Sequence, residues 1–193
     1  MTTAERFPQW LRPPPGGFIA EDLDRLPDLP PHTQLIDGSL VFVSPQAKFH
    51  MLMITLLDSV LRQFVPGDLR VRREMTVTLA REQRPEPDVL VVRAEADGGP
   101  DLTSYRAADV VLVVEVVSAE SRTRDRERKP QLYAKAGIPH FWRVENVDGR
   151  AVVYVFELDP ATGAYAPSGI FHDRLKISVP FDIDIDLSDI DRL

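Results

Sequence analysis

Apolar residues recur along this chain with two different periods, and the places where the period changes divide it into elements. The stretch QLIDGSLVFVSP alternates toward a short strand, with Asp37-Gly38 as a turn signal. Behind it, Phe49, Met53, Leu56, Leu57, Val60, Leu61 and Phe64 recur at three- and four-residue spacing and predict a helix. Ser44-Pro45 would supply its cap and first turn, and Pro66-Gly67 ends it.

The runs DLRVRREMTVTLA and PDVLVV read as two valine-rich strands joined by a tight connection through REQRPE. After a loop containing Asp97-Gly98-Gly99-Pro100 comes DVVLVVEVVS, apolar on both faces except for one glutamate, the pattern of a strand covered on both sides in mid-sheet. A second helix is expected to open between Asp125 and Pro130, to run through Leu132, Tyr133 and Ala136, and to close at Gly137. HFWRVEN, AVVYVFEL and RLKISVP supply three more strands, with turn signals at Asp148-Gly149 and Thr162-Gly163. The acidic end FDIDIDLSDIDRL reads as a capping strand or a short helix. The order predicts an α/β (α+β) chain built on a mixed, mostly sequential sheet flanked by helices.

Composition refines this outline. Seven of the 17 prolines lie in the first 31 residues, so residues 1–30 are expected to form a proline-rich arm and 31–193 a single domain. No apolar run approaches the roughly 20 residues that cross a bilayer, and the polar start lacks a secretory profile, so a cytoplasmic location and no membrane partner are expected. With no cysteine, disulfides, thiolate catalysis and cysteine metal sites are excluded. The net charge of −7 argues against a surface that merely coats polyanions. Locally the balance reverses: Arg122, Arg124, Arg126, Arg128 and Lys129 outnumber Glu120, Asp125 and Glu127, so this segment could face a phosphate backbone or form a salt-bridged helix entrance.

Glu115 is the most informative residue. A carboxylate in a strand buried on both faces costs several kcal/mol unless a cation or donors compensate it. Asp88 opens the apolar run VLVV immediately after Pro87, and neighbouring strands would bring it beside Glu115. Two converging carboxylates repel, and a cation that prefers oxygen ligands, such as magnesium, resolves the conflict; an arginine partner is the alternative. Lys129, at the opening of the second helix, could reach a metal-bound water or pair with Asp125 one turn away. His50 could be an acid/base group or a side chain near the helix start, and Glu74 could join the cluster or pair with Arg72 or Arg73. Tyr133, Phe141 and Trp142 resemble core aromatics. No phosphate-binding glycine loop, G-x-S-x-G elbow or H-E-x-x-H helix is present.

The segments LIDGSLVFVSP, EPDVLVV and VVLVVEVVSAESRTRDRERKPQLYAKAGIPHFWRV resemble the Uma-type restriction-endonuclease family of the PD-(D/E)XK nuclease-like superfamily, over about residues 33–190. The resemblance implies a restriction-endonuclease-like core, with Asp88 and Glu115 as the motif acids that hold the metal. It further implies magnesium, replaceable by manganese, on Asp88, Glu115 and the Val116 carbonyl. The motif lysine would stand two residues after the acid, where this chain has Val117. Lys129, in a D-R-x-x-K pattern with Asp125 and Arg126, is the expected replacement, placed to position or deprotonate the attacking water. Gln34 stands where the family often has glutamate, so Asp37 or Glu74 would supply a supporting acid. The expected function is a metal-dependent DNA endonuclease, acting as a homodimer, with Arg122, Arg124 and Arg126 on the nucleic acid. The competing reading is a catalytically silent nucleic-acid-binding or partner-binding module on the same fold.

Overall fold

The computed structural model describes residues 8–193. Its strands are β1 (Gln34–Ile36), β2 (Ser39–Val41), β3 (Leu69–Arg73), β4 (Thr76–Thr78), β5 (Val89–Arg93), β6 (Ser104–Arg106) and β7 (Val110–Val116). They continue as β8 (His140–Val147), β9 (Arg150–Asp159), β10 (Ala164–Phe171), β11 (Arg174–Ile177) and β12 (Ile183–Asp186). Two α-helices accompany them, α1 (Lys48–Phe64) and α2 (Lys129–Lys135).

The valine run of β7 becomes the middle of a six-stranded sheet ordered β10-β9-β8-β7-β5-β3. Its pairs are antiparallel except β7 with β8, which run parallel. Parallel neighbours need a crossover, and α2 is that crossover. Lys129 is therefore delivered back over the strand that carries Glu115.

Alternation in β5 and β7 feeds two cores. On one face Val89, Val91, Leu112, Val114 and Val116 pack under α1 and the C-terminal segment, against Met53, Leu57, Leu61, Leu175 and Ile183. On the other face Leu90, Val92 and Val113 pack with Tyr133, Ile138 and Phe141, covered by α2 and by Val77 and Tyr105 from the small parallel pair β4–β6.

Several elements differ from expectation for identifiable reasons. DLRVRREMTVTLA is two strands and not one, because Glu74 takes a left-handed backbone conformation (φ 52°) and its N–H donates to the Asp88 carbonyl at 3.1 Å. The chain then leaves the main sheet to form β4, so β3 and β5 are joined by a long excursion instead of a tight turn. QLIDGSLVFVSP folds into the hairpin β1–β2, with Asp37 in the turn at φ 53°. Helix α1 starts after Ala47, since the chain stays extended past Ser44-Pro45. β10 was not expected: AYAPSGIF contains Pro167 and a register shift before Gly169, features an edge strand tolerates. The acidic end forms both β12 and a closing 3-10 turn, Leu187–Arg192.

Within the first 30 residues, packing begins before the boundary read from composition. Phe18 and Ala20 are buried, and a 3-10 turn spans Ala20–Asp24. The buried Arg84 guanidinium holds this turn, donating to the Ala20 carbonyl at 2.9 Å, to Thr76 Oγ1 at 2.9 Å and to Asp24 Oδ2 at 2.6 Å. Bonding to Arg84 lowers the Asp24 pKa below its usual value. Among the described residues no helix is long and apolar enough to cross a membrane.

The two faces of α1 make a direct test of this packing. Leu57 is fully buried and Met51 is 52% exposed on the same helix. Leu57→Ala is expected to lower unfolding free energy by about 2–5 kcal/mol. Met51→Ala is expected to stay within about 0.5 kcal/mol. Urea unfolding followed by circular dichroism checks both, and equal effects would contradict the assignment of faces.

Candidate active site

The β5–β7 register pairs Val89 with Val114 and Leu90 with Val113. Continued one step, it sets Asp88 across from Glu115, and residues directly opposite in an antiparallel pair share a face. Pro87, next along, has no N–H for the ladder. At this end of the ladder the Asp88 side chain also takes part: its Oδ2 accepts from the Val116 N–H at 2.6 Å. The notched end of β5 thus turns a carboxylate toward β7.

Glu115 is 1% exposed, and both of its oxygens are met from α2. Lys129 Nζ donates to Oε2 at 2.8 Å and the Tyr133 hydroxyl to Oε1 at 2.5 Å. Lys129, itself 3% exposed, also lies 3.1 Å from Asp125 Oδ1. Asp125, Lys129 and Tyr133 are spaced four residues apart, so one helical ridge carries all three. The turn before α2, Arg124–Arg128, has π-helical hydrogen bonding, a local widening often found at functional sites. It keeps Asp125 buried beneath Lys129 while the arginines between them remain outside.

Burial and the neighbouring charges together set the direction of each pKa. Burial pushes the Glu115 carboxyl above its usual pKa; the Lys129 ammonium opposes that rise, and the Asp125 and Asp88 carboxylates add to it. Burial alone would lower Lys129, but Asp125 and Glu115 outweigh it and hold the ammonium charged. Burial and the adjacent Glu115 raise the Tyr133 hydroxyl, which therefore stays a donor. Three carboxyl groups and one ammonium are thus brought close in a largely buried setting, where the raised pKa of Glu115 favours its protonated form.

That arrangement bears on whether a metal fits. Asp88 and Glu115 offer hard oxygen donors, and Asp88 is the more open of the two, its side chain 17% exposed. Among the described residues no group of three or more ligating side chains converges. A cation that binds here must take oxygens already engaged by Lys129, Tyr133, His50 and the Val116 N–H, and magnesium, which needs only one or two carboxylates beside its waters, would displace the fewest of them.

The supporting residues separate. His50, from α1, is buried, with Nε2 3.1 Å from Asp88 Oδ1. Glu74 contributes its backbone N–H to the Asp88 carbonyl, while its carboxylate lies 3.6 Å from Arg73. Asp37 is drawn off by the Arg128 guanidinium and by Gln83, which donates to it at 2.7 Å; the bond to Arg128 holds its pKa low. Gln34 accepts from the Glu86 N–H at 3.2 Å, so it braces the residue two before Asp88. The basic segment is largely self-neutralised: Arg124 pairs with Glu120, Arg126 with Glu145 and Arg128 with Asp37. Arg122 is exposed and has no acidic partner among the described residues.

Two participants escaped the sequence reading. Tyr133 reads as a core aromatic, and its position four residues after Lys129 was the available signal. The His32–Glu86 contact, 2.6 Å between Nδ1 and Oε1, joins the proline-rich segment to the strand end, and nothing in spacing announces a pair 54 residues apart.

Between the start of α1 and the loop after β7 lies a cleft of about 310 Å³, with His50, Ser118, Arg122 and Asn146 in its wall. Asp88 is not itself in that wall and is linked to it through His50.

Comparison with known proteins agrees with this architecture. The crystal structure of a protein from Anabaena variabilis ATCC 29413, described as a "putative nuclease belonging to DUF820", superposes with a TM-score of 0.66 at 16% identity, covering 90% of this chain and 97% of that one. NucC of P. aeruginosa ATCC27853 in its cAAA-bound form overlaps at a TM-score of only 0.34, with 15% identity, 62% of this chain and 69% of that one. Among curated proteins none matches the sequence. The family profile Uma2, "Putative restriction endonuclease", matches residues 20–188. The chain belongs to the Uma2 family.

Proposed function

We propose that the protein is a magnesium-dependent endonuclease that hydrolyses phosphodiester bonds in DNA, with manganese able to substitute. Membership of the Uma2 family supports a nuclease acting on nucleic acid. The observation that supports the finer reading is the Lys129–Glu115 contact with Asp88 held on the adjoining Val116 N–H at the end of two central strands, and with His50 linking Asp88 to the cleft.

Asp88 and Glu115, with the Val116 carbonyl, would hold the cation, which supplies polarisation of the phosphoryl group and a more acidic water. Tyr133 fixes the orientation of Glu115 through one oxygen, and Lys129 through the other. Because its ammonium stays charged, Lys129 serves as a donor and not as the base. It orients the attacking water and offsets charge developing on the phosphate. His50 Nε2 lies 3.1 Å from Asp88 Oδ1 and so orients the carboxylate that would meet the cation. Hydrolysis adds one water across one P–O bond, leaving a phosphate on one strand end and a hydroxyl on the other.

The silent-module reading is favoured by the engagement of both Glu115 oxygens by Lys129 and Tyr133 and of both Asp88 oxygens by the Val116 N–H and His50. It predicts DNA binding with no magnesium-dependent cleavage.

Incubating the protein with supercoiled and single-stranded DNA separates the two. Magnesium is expected to support cleavage that EDTA abolishes, and Asp88→Asn and Glu115→Gln should each slow it on the order of 100-fold or more. Wild-type rates in both variants, with folded spectra, would sink the proposal. A second expectation concerns stability. Lys129→Ala leaves Glu115 and Asp125 buried without their cation and should cost about 3–5 kcal/mol in urea unfolding. A loss below about 1 kcal/mol, the size of an exposed pair, would show that Lys129 is not the buried counterion described above.

A further inference from the structure

The cleft beside His50 has a size, a charge and a wall that together specify what enters it. Its volume, about 310 Å³, lies at the lower end of the roughly 300–1,000 Å³ typical of small-molecule sites. That is room for one nucleotide, not for a stacked base pair. Phe49 supplies a half-buried aromatic surface, and Ser118 and Asn146 supply polar atoms. The two acids in the wall are already neutralised, Glu120 by Arg124 at 2.8 Å and Glu145 by Arg126 and Arg143. Arg122 is left as the wall's unpaired cation among the described residues.

Duplex DNA carries one charge per roughly 1.7 Å of axis, and proteins that grip it neutralise many phosphates at once. Here the net charge is −7, and the basic segment spends Arg124, Arg126 and Arg128 on its own acids. One free arginine matches one phosphate. A base held in a duplex must also give up its stacking before it can enter a closed cleft, at a few kcal/mol, whereas an unpaired base pays little.

From this placement, and resting on the nuclease reading above, we propose that the cleft takes one unpaired nucleotide of a DNA strand, with its base against Phe49 and a phosphate on Arg122. The neighbouring phosphate then lies past His50 at Asp88. The substrate class is single-stranded or locally unpaired DNA, and duplex is admitted only where it frays or is flipped open.

Fluorescence anisotropy with the full chain in EDTA tests this, using a short labelled oligothymidylate and the duplex it forms with oligoadenylate. No cleavage is read, so the result is independent of whether the protein hydrolyses DNA. The single strand is expected to bind roughly tenfold tighter than the duplex, the size of one stacked base. Arg122→Ala should weaken single-strand binding about fivefold to tenfold and reduce the salt slope by about 1. Phe49→Leu, which keeps an apolar side chain on α1, should weaken it severalfold, while Lys135→Ala, on the exposed end of α2, should not. Equal or tighter binding of the duplex, an Arg122→Ala affinity within twofold of wild type, or no binding of the single strand would each overturn the proposal.

Discussion

One buried carboxylate sets the terms for much of this structure. Glu115 lies in the middle strand of the sheet with 1% of its surface exposed, and no ladder hydrogen bond can satisfy its side chain. Its compensation comes from α2, which must lie over β7 because it connects two parallel neighbours. The Val116 N–H holds the Asp88 carboxylate at the same end of the strands. Asp125 then balances Lys129, and the π-helical turn widens the backbone to keep both inside. Each of these features is costly alone and tolerable only in combination.

The combination is incomplete as a charge balance. Asp88, Glu115 and Asp125 face one ammonium, and burial first, with the Asp125 and Asp88 carboxylates adding to it, holds the Glu115 carboxyl above its ordinary pKa. A fold built only for stability could place an apolar residue at this point in β7 at less cost. The cluster sits at the end of the strands and not in their middle, where Asp88 lies against His50 and His50 is in the cleft wall. Location and imbalance together give the site its chemical character.

How much of this was legible depended on whether the signal was local. The β7 run, its solitary glutamate and the D-R-x-x-K pattern gave the sheet centre, Glu115 and Lys129, since burial on both faces is written in consecutive residues. Asp88 followed from Pro87 and an apolar run. Beyond these, the chain gave less. Glu74 ends β3 through a left-handed conformation that most sequences of this composition would not need. β10 escaped because an edge strand tolerates proline and exposure, and so loses its alternation. Residues 18–24 looked like part of a loose arm, yet Arg84, some 60 residues away, anchors them. The basic run could be read as a phosphate track or as a salt-bridged helix entrance, and Asp37 and Glu145, far off in sequence, take two of its arginines. Long-range ion pairs leave no periodicity to read.

The central claim is that Glu115 occupies a buried, cation-poor cluster that a hard divalent ion would relieve. Its most direct test is a pH titration of the Glu115 side-chain carboxyl by carbon-13 NMR, without and with magnesium, assigned by comparison with Glu115→Gln. Without the metal the carboxyl should titrate above the range of free glutamate, and magnesium should move that titration downward as it binds the ionised form. A carboxyl that titrates as an ordinary glutamate and does not respond to magnesium would contradict the account.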